Sequence, residues 1–124
     1  MDHDYAAIID LMKRYYEGLY RCRKDILANV FHPHARYISA SGDDVLNLDM
    51  ETYFSIVEKR KSPESNKEPY AYDIESIEFA GPVTAFVRMR CFMLSKDYTD
   101  FLSLIWVDGK WGIISKVFHV QEQG

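Results

Sequence analysis

The stretch that most constrains this chain runs from residue 72 to residue 119, where strand-like segments follow one another in meander order across short turns. The alternation predicts strands over 72–79, 83–94, 98–107 and 111–119. Their connections are Ala80-Gly81-Pro82, Ser95-Lys96-Asp97 and Asp108-Gly109, the last a two-residue hairpin signal. In the third segment Phe101, Ile105 and Val107 alternate with Leu102, Leu104 and Trp106; in the fourth, Ile114 and Phe118 alternate with Trp111, Ile113 and Val117. An antiparallel sheet with one wet face would be polar on one of those sets. Both faces must therefore be covered, and the chain has helices for one only. A second copy of the sheet is the expected cover, which predicts a homodimer through Leu102, Leu104, Trp106, Ile113 and Val117.

The helices come first. Ile8, Leu11, Met12, Tyr15 and Leu19 recur at helical spacing from Asp4 to Tyr20, opposite Asp10, Lys13, Arg14 and Glu17. Asp25 is expected to cap a shorter helix through Phe31, stopped by Pro33, with a strand over 37–40 and a turn at Ser41-Gly42-Asp43-Asp44. Asp49 is expected to cap a third helix whose apolar side is Met50, Tyr53, Phe54 and Val57. The polar, proline-bounded loop 62–69 then separates a helical half from a strand half without dividing the chain into two domains. Helices followed by a long antiparallel meander is an α+β pattern, here one domain of 124 residues.

Composition removes several function classes. No apolar run approaches the roughly 18–20 residues that a membrane-spanning helix needs. The formal charge of −4 opposes nucleic-acid binding, and Arg60-Lys61 is too short to form a basic patch. The acidic start Met1-Asp2-His3-Asp4 lacks the zones of a secretory signal, so a cytoplasmic location is expected. Cys22 and Cys91 have no metal or redox spacing and are expected to be reduced, inert thiols. His32-Pro33-His34 pairs two imidazoles without a third ligand nearby in sequence, so it reads as a turn and neither a metal nor a cofactor is expected.

The runs Tyr16-Glu17-Gly18-Leu19-Tyr20 and Phe31-His32-Pro33-His34-Ala35, with Tyr98-Thr99-Asp100-Phe101-Leu102-Ser103-Leu104 and the run from Val107 through Trp111 to His119, give the chain a family likeness. It resembles the family called "putative lumazine-binding", in the nuclear transport factor 2-like superfamily with the SnoaL-like cyclases and ketosteroid isomerases. The resemblance implies a cystatin-like cone: a curved antiparallel sheet wrapped around a long N-terminal helix and two shorter ones, with an internal pocket and a dimer through the sheet. It implies no fixed reaction, because this scaffold carries enzymes, binding proteins and transport adaptors.

By that resemblance Tyr15 stands where the isomerases keep an oxyanion-stabilising tyrosine, while their carboxylates fall at Ser39 and Ser103. Serine has no proton-shuttling capacity near neutral pH without a base, so ketosteroid isomerisation is not expected. The same register turns Val87, Met89 and Cys91, then Phe101, Ser103 and Ile105, then Ile114, Lys116 and Phe118 toward the helices. With Tyr15, Leu19, Tyr37, Ser39 and Phe54 these define a mostly apolar candidate ligand pocket. Lys116 either reaches the pocket mouth with its amine in water or is held inside by an anion. Inside, its ammonium would favour ligands with a carboxylate, phenolate or enolate oxygen.

Arg88 and Arg90 are expected on the outer face with Asp100, forming ion pairs at the dimer interface; a one-residue slip would turn all three into the pocket. His119 is read as an exposed strand-end residue, with an acid–base role at the sheet rim as the alternative. The leading functional reading is a domain that encloses a small organic molecule. The alternatives are a dimerisation or protein-interaction module with a vestigial cavity, and a SnoaL-like cyclase, dehydratase or isomerase. The last needs a buried carboxylate or histidine within the cone, and no nucleophile–base pair is legible.

Overall fold

Helix α1 (Tyr5–Tyr20) buries the predicted stripe of Ile8, Leu11, Met12, Tyr15 and Leu19, together with Tyr16. The computed structural model describes residues 5–122, so the expected helix start at Asp4 lies outside the described residues. Cys22 ends α1 in the left-handed region (φ 51), with Arg23 N–H donating to Gly18 O at 2.9 Å and Cys22 N–H to Leu19 O at 3.3 Å. That closure makes Arg23 the cap of α2 (Lys24–Val30), and Asp25 falls in the first turn, paired with Arg23 at 2.6 Å. The expected Asp25 cap is thereby corrected.

Gly18 is where the two helices touch. A Cβ there would meet Leu27 Cδ2 at 2.7 Å and Cγ at 2.9 Å, and Leu27 is fully buried. Gly18→Ala is therefore expected to lose about 1–3 kcal/mol to overpacking, against the roughly 1 kcal/mol of helix propensity that alanine brings. A denaturant titration showing a net gain in stability would contradict this packing.

Pro33 does not stop a helix, because the chain has already become strand β1 (Phe31–Ser39). It sits where the pairing with the last strand is interrupted, between Phe31 and Arg36, so its missing N–H costs no ladder bond. Strand β2 (Leu46–Leu48), which the sequence did not announce, pairs antiparallel with β1. Helix α3 (Met50–Lys59) is capped as expected, Asp49 accepting from Thr52 N–H at 2.9 Å. Then come β3 (Ala71–Phe79), β4 (Thr84–Met93), β5 (Lys96–Val107) and β6 (Lys110–Glu122). The β5–β6 turn is Asp108-Gly109, at φ 53 and 79. The β4–β5 turn is Leu94-Ser95, at φ 56 and 60, so Lys96 and Asp97 belong to the strand rather than the connection. Glu68 Oε1 accepts from Leu94 N–H at 2.6 Å and holds that turn to the 62–69 loop.

The sheet order is β2-β1-β6-β5-β4-β3, with β1 and β6 parallel and every other pair antiparallel. The helices cover its inner face, giving the α+β cone that the sequence implied. Strand register is where the expectation fails. Val87, Met89 and Cys91 do face inward. Directly opposite them on β5 stand Leu102, Asp100 and Tyr98, and opposite residues of an antiparallel pair share a face. Asp100, Leu102 and Leu104 are thus fully buried, while Phe101 is 42% exposed and Ser103 and Ile105 lie on the outer face with it.

On β6 a bulge follows. Ser103 opposes Ser115 and Leu104 opposes Ile113, so Ile114 is the extra residue. Trp111, Ile113, Lys116 and Phe118 turn inward, and Val117 is 43% exposed. The inward orientation expected for Phe101, Ser103, Ile105 and Ile114 is therefore corrected, and so is the expected dimer face: Leu102, Leu104 and Ile113 are core. Trp106 stands edge-on to Trp111 at 5.8 Å. Arg88 and Arg90 do lie outward, but they pair with Glu75 at 2.8 Å and Asp97 at 3.9 Å rather than with Asp100.

Candidate functional site

The inner face brings an acid, a base and a ring of aromatics to one place. Asp100 on β5 opposes Phe118, and Lys116 on β6 opposes Leu102 on one side and Tyr37 of β1 on the other. From the helices Tyr15 and Tyr53 come down onto them. Tyr15 Oη donates to Asp100 Oδ2 at 2.6 Å, and the Cys91 thiol reaches the same oxygen at 3.9 Å. Asp100 Oδ1 and Tyr53 Oη are buried and have no hydrogen-bond partner among the described residues. A bare carboxylate oxygen inside a protein is costly, so the arrangement calls for a donor.

Lys116 is 4% exposed. Its Nζ lies 5.1 Å from the ring centre of Phe118, 5.2 Å from those of Tyr15 and Tyr37, and 5.6 Å from that of Tyr53. Ring faces at that distance attract an ammonium, and most strongly when water is excluded. Among the described residues Lys116 forms no direct ion pair, although Asp100 acts on it through space. Burial pulls its pKa down, but Asp100 and then Tyr53 and Tyr37 outweigh that and set it above the ordinary lysine value. Its amine is therefore inside the cone and not in bulk water, and Asp100 favours the ammonium form there.

Burial first, then Asp100, pushes Tyr15 well above the usual tyrosine value and Cys91 well above the usual thiol value, so Tyr15 serves as a donor and Cys91 is a poor nucleophile. Burial likewise raises Tyr53 from 10.0 to about 12. Unfolding lets that phenol ionise near its ordinary value, so in this window the folded state holds more protons and stability falls as pH rises. For Tyr53 the loss between pH 10.0 and about 12 amounts to about 2–3 kcal/mol. Melting temperatures through this range should fall less steeply for Tyr53→Phe than for the parent.

A void of about 10 Å³ remains beside these groups, bounded by Leu19, Tyr37, Arg60, Cys91, Met93, Tyr98, Asp100 and Lys116. That is room for one water between the carboxylate and the ammonium. A larger cleft, about 630 Å³, lies between α1, α2 and the β5–β6 turn, but its charged residues, such as the exposed pair Arg14–Asp10, face solvent. Buried titratable groups converge at the small void, and those mark a site better than volume does.

Of the residues singled out from the sequence, Tyr15, Leu19, Tyr37, Val87, Met89, Lys116 and Phe118 meet on the inner face. Ser39 is buried, its hydroxyl donating to Ser41 Oγ at 3.0 Å. Phe54 is half-buried beside Tyr53 and Phe31. Phe101, Ser103 and Ile105 lie outside. His119 is exposed, with Nδ1 3.3 Å from Ser41 Oγ, and His32 Nδ1 accepts from His34 N–H at 3.0 Å. The residues the sequence reading missed are Asp100, Tyr53, Tyr98 and Arg60. Asp100 entered the sequence reading as a pocket residue only under a one-residue slip, together with Arg88 and Arg90. The cone holds a buried carboxylate, which the sequence reading had not identified.

A cone of this kind, with its helices on the inner face of a curved sheet, defines the nuclear transport factor 2-like fold. An NTF2-like protein of unknown function from Shewanella baltica OS155 has the same fold, with a TM-score of 0.84 and 24% identity over 96% of this chain and 94% of that one. Another, from Silicibacter pomeroyi DSS-3, gives a TM-score of 0.78 and 19% identity, covering 94% of each chain. The chain belongs to the family described as "Putative lumazine-binding", whose profile matches residues 3–119. It is also 29% identical over 118 residues to aldolase FrzH of Cladobotryum sp, covering 94% of this chain and 90% of that protein. Among the described residues no helix is long and apolar enough to cross a membrane.

Proposed function

We propose that the cone is a small-molecule active site for aldol-type chemistry, in which a proton is taken from the carbon beside a carbonyl. The observation that carries this reading is the unpartnered Asp100 Oδ1 in the same void as a charged, buried Lys116. Asp100 accepts the proton from the substrate carbon on Oδ1, while Tyr15 on Oδ2 fixes the carboxylate's orientation. The electron pair moves onto the carbonyl oxygen, and the Lys116 ammonium faces the enolate that forms. The enolate carbon then attacks a second carbonyl, and the new alkoxide takes the proton back from Asp100, which restores the carboxylate. Lys116 acts as a cation here and not as an imine-forming amine, since only a neutral amine attacks a carbonyl. The likeness to a protein named an aldolase supports the same class.

The void has room for no more than about one water, so substrate entry requires lining residues such as Tyr98 and Arg60 to move apart. The test is proton exchange from simple ketones into deuterated water, followed by NMR. The parent protein is expected to accelerate exchange at the carbon beside the carbonyl. A rate no greater than that of buffer, across a series of ketones, sinks the proposal. On this reading the protein works in the cytoplasm, where Cys22 and Cys91, both free, stay reduced.

Homodimerisation belongs to the same proposal, with Val117 kept from the expected face and Phe101 in place of the buried leucines. Phe101 and Val117 oppose each other on the outer face and are each more than 40% exposed, with Phe86 5.5 Å from the Phe101 ring. Phe101→Glu should shift a dimer to monomer in sedimentation velocity at micromolar concentration. A parent that is already monomeric there ends this reading.

A further inference from the structure

We infer that the substrate carries a carboxylate and that Arg60 is the residue that receives it. This rests on the enolising site proposed above and names its substrate class.

Arg60 ends α3, the helix that supplies Tyr53 to the ring around Lys116. Its backbone N–H donates to Val57 O at 3.1 Å, which anchors the residue at the helix end, and its side chain is half-buried at the rim of the void that holds Asp100 and Lys116. Among the described residues its guanidinium makes no ion pair or side-chain hydrogen bond. The carboxylates of the neighbouring segments are engaged elsewhere: Glu58 with Lys24, and Glu64 with Arg21. The void is therefore lined by the cations Arg60 and Lys116 and by one carboxylate, Asp100, while Tyr37, Tyr98 and Cys91 bring hydroxyl and thiol groups. Asp100 answers Lys116, and the remaining positive charge is that of Arg60. A guanidinium presents a planar fork that matches a carboxylate in a bidentate pair, and a rim position lets it catch that group before the carbonyl end goes deeper. An enolisable oxo acid fits both ends of the site.

Pyruvate and levulinate, each against its methyl ester, are suitable probes. Binding is measured by NMR titration at low ionic strength, and proton exchange on the same samples. The parent is expected to bind each acid about tenfold or more tightly than its ester, the worth of one hydrogen-bonded ion pair. In Arg60→Gln that preference should collapse toward one through a raised KM rather than a lowered kcat, and Arg60→Lys should keep part of it. Thermal melts of both variants establish that they are folded, and the half-exposed helix-end position makes loss of the fold unexpected. Equal binding of acid and ester by the parent, no measurable binding of either acid at millimolar concentration, or a preference that survives Arg60→Gln each overturns the inference. Exchange and binding separate the two proposals: an acid preference without any exchange removes the aldol-type reading and keeps the anion site, whereas exchange without a preference does the reverse.

Discussion

Asp100→Asn should reduce enzyme-dependent proton exchange by about 10²–10⁴-fold, the usual contribution of a positioned general base. The amide is nearly isosteric and its oxygen still accepts from Tyr15 Oη, which now donates to Oδ2 at 2.6 Å, so the geometry of the cone is retained. What disappears is the basic oxygen. Tyr15→Phe makes a graded comparison: it removes the orienting bond and leaves the base, so a smaller loss is expected. If Asp100→Asn is folded and exchanges ketone protons at the parent rate, Asp100 is a structural carboxylate and the mechanism must be abandoned.

The second large effect is on stability. Lys116→Met keeps the volume of the stem but leaves Asp100, fully buried, with no counter-charge, and Asp100→Asn leaves Lys116 in the converse position. Removing one partner of a buried charged pair costs about 3–5 kcal/mol, whereas replacing both by neutral groups is often close to neutral. The double variant should therefore be more stable than either single one, with a coupling of about 1–3 kcal/mol in a denaturant-based cycle. The four rings around Nζ temper the result for Asp100→Asn, since they stabilise the lone ammonium. Strict additivity of the two substitutions would show that Asp100 and Lys116 do not sense each other.

The helix α1 stripe, the Asp49 cap and the Asp108-Gly109 turn were legible because each depends on a few neighbouring residues: a spacing of three and four, one oxygen reaching a backbone N–H, and two residues tolerant of positive φ. Strand β2 and the onset of β1 at Phe31 were not, because they exist through pairing partners distant in sequence, and Pro33 is tolerated only where that pairing lapses. The site divided along the same line. Tyr15, Tyr37 and Lys116 could be picked out as pocket residues from one face of α1 and the alternation of single strands. Asp100 was placed on the outer face, since alternation alone did not decide which phase of β5 lies inside.

By itself the sequence determined the class of fold, the helix faces and the presence of an odd lysine among apolar residues. The tertiary structure decided which face of β5 is the inside. Alternation has a period of two and carries no sign when both phases are apolar, so pairing with β4 and the bulge at Ile114 had to set it. That single choice moved Asp100 from an outer ion pair to the centre of the cone and turned Phe101 outward. Tyr53 then meets Asp100 and Lys116 because α3 brings it onto the β5–β6 hairpin from far along the chain, and no local pattern encodes such a meeting.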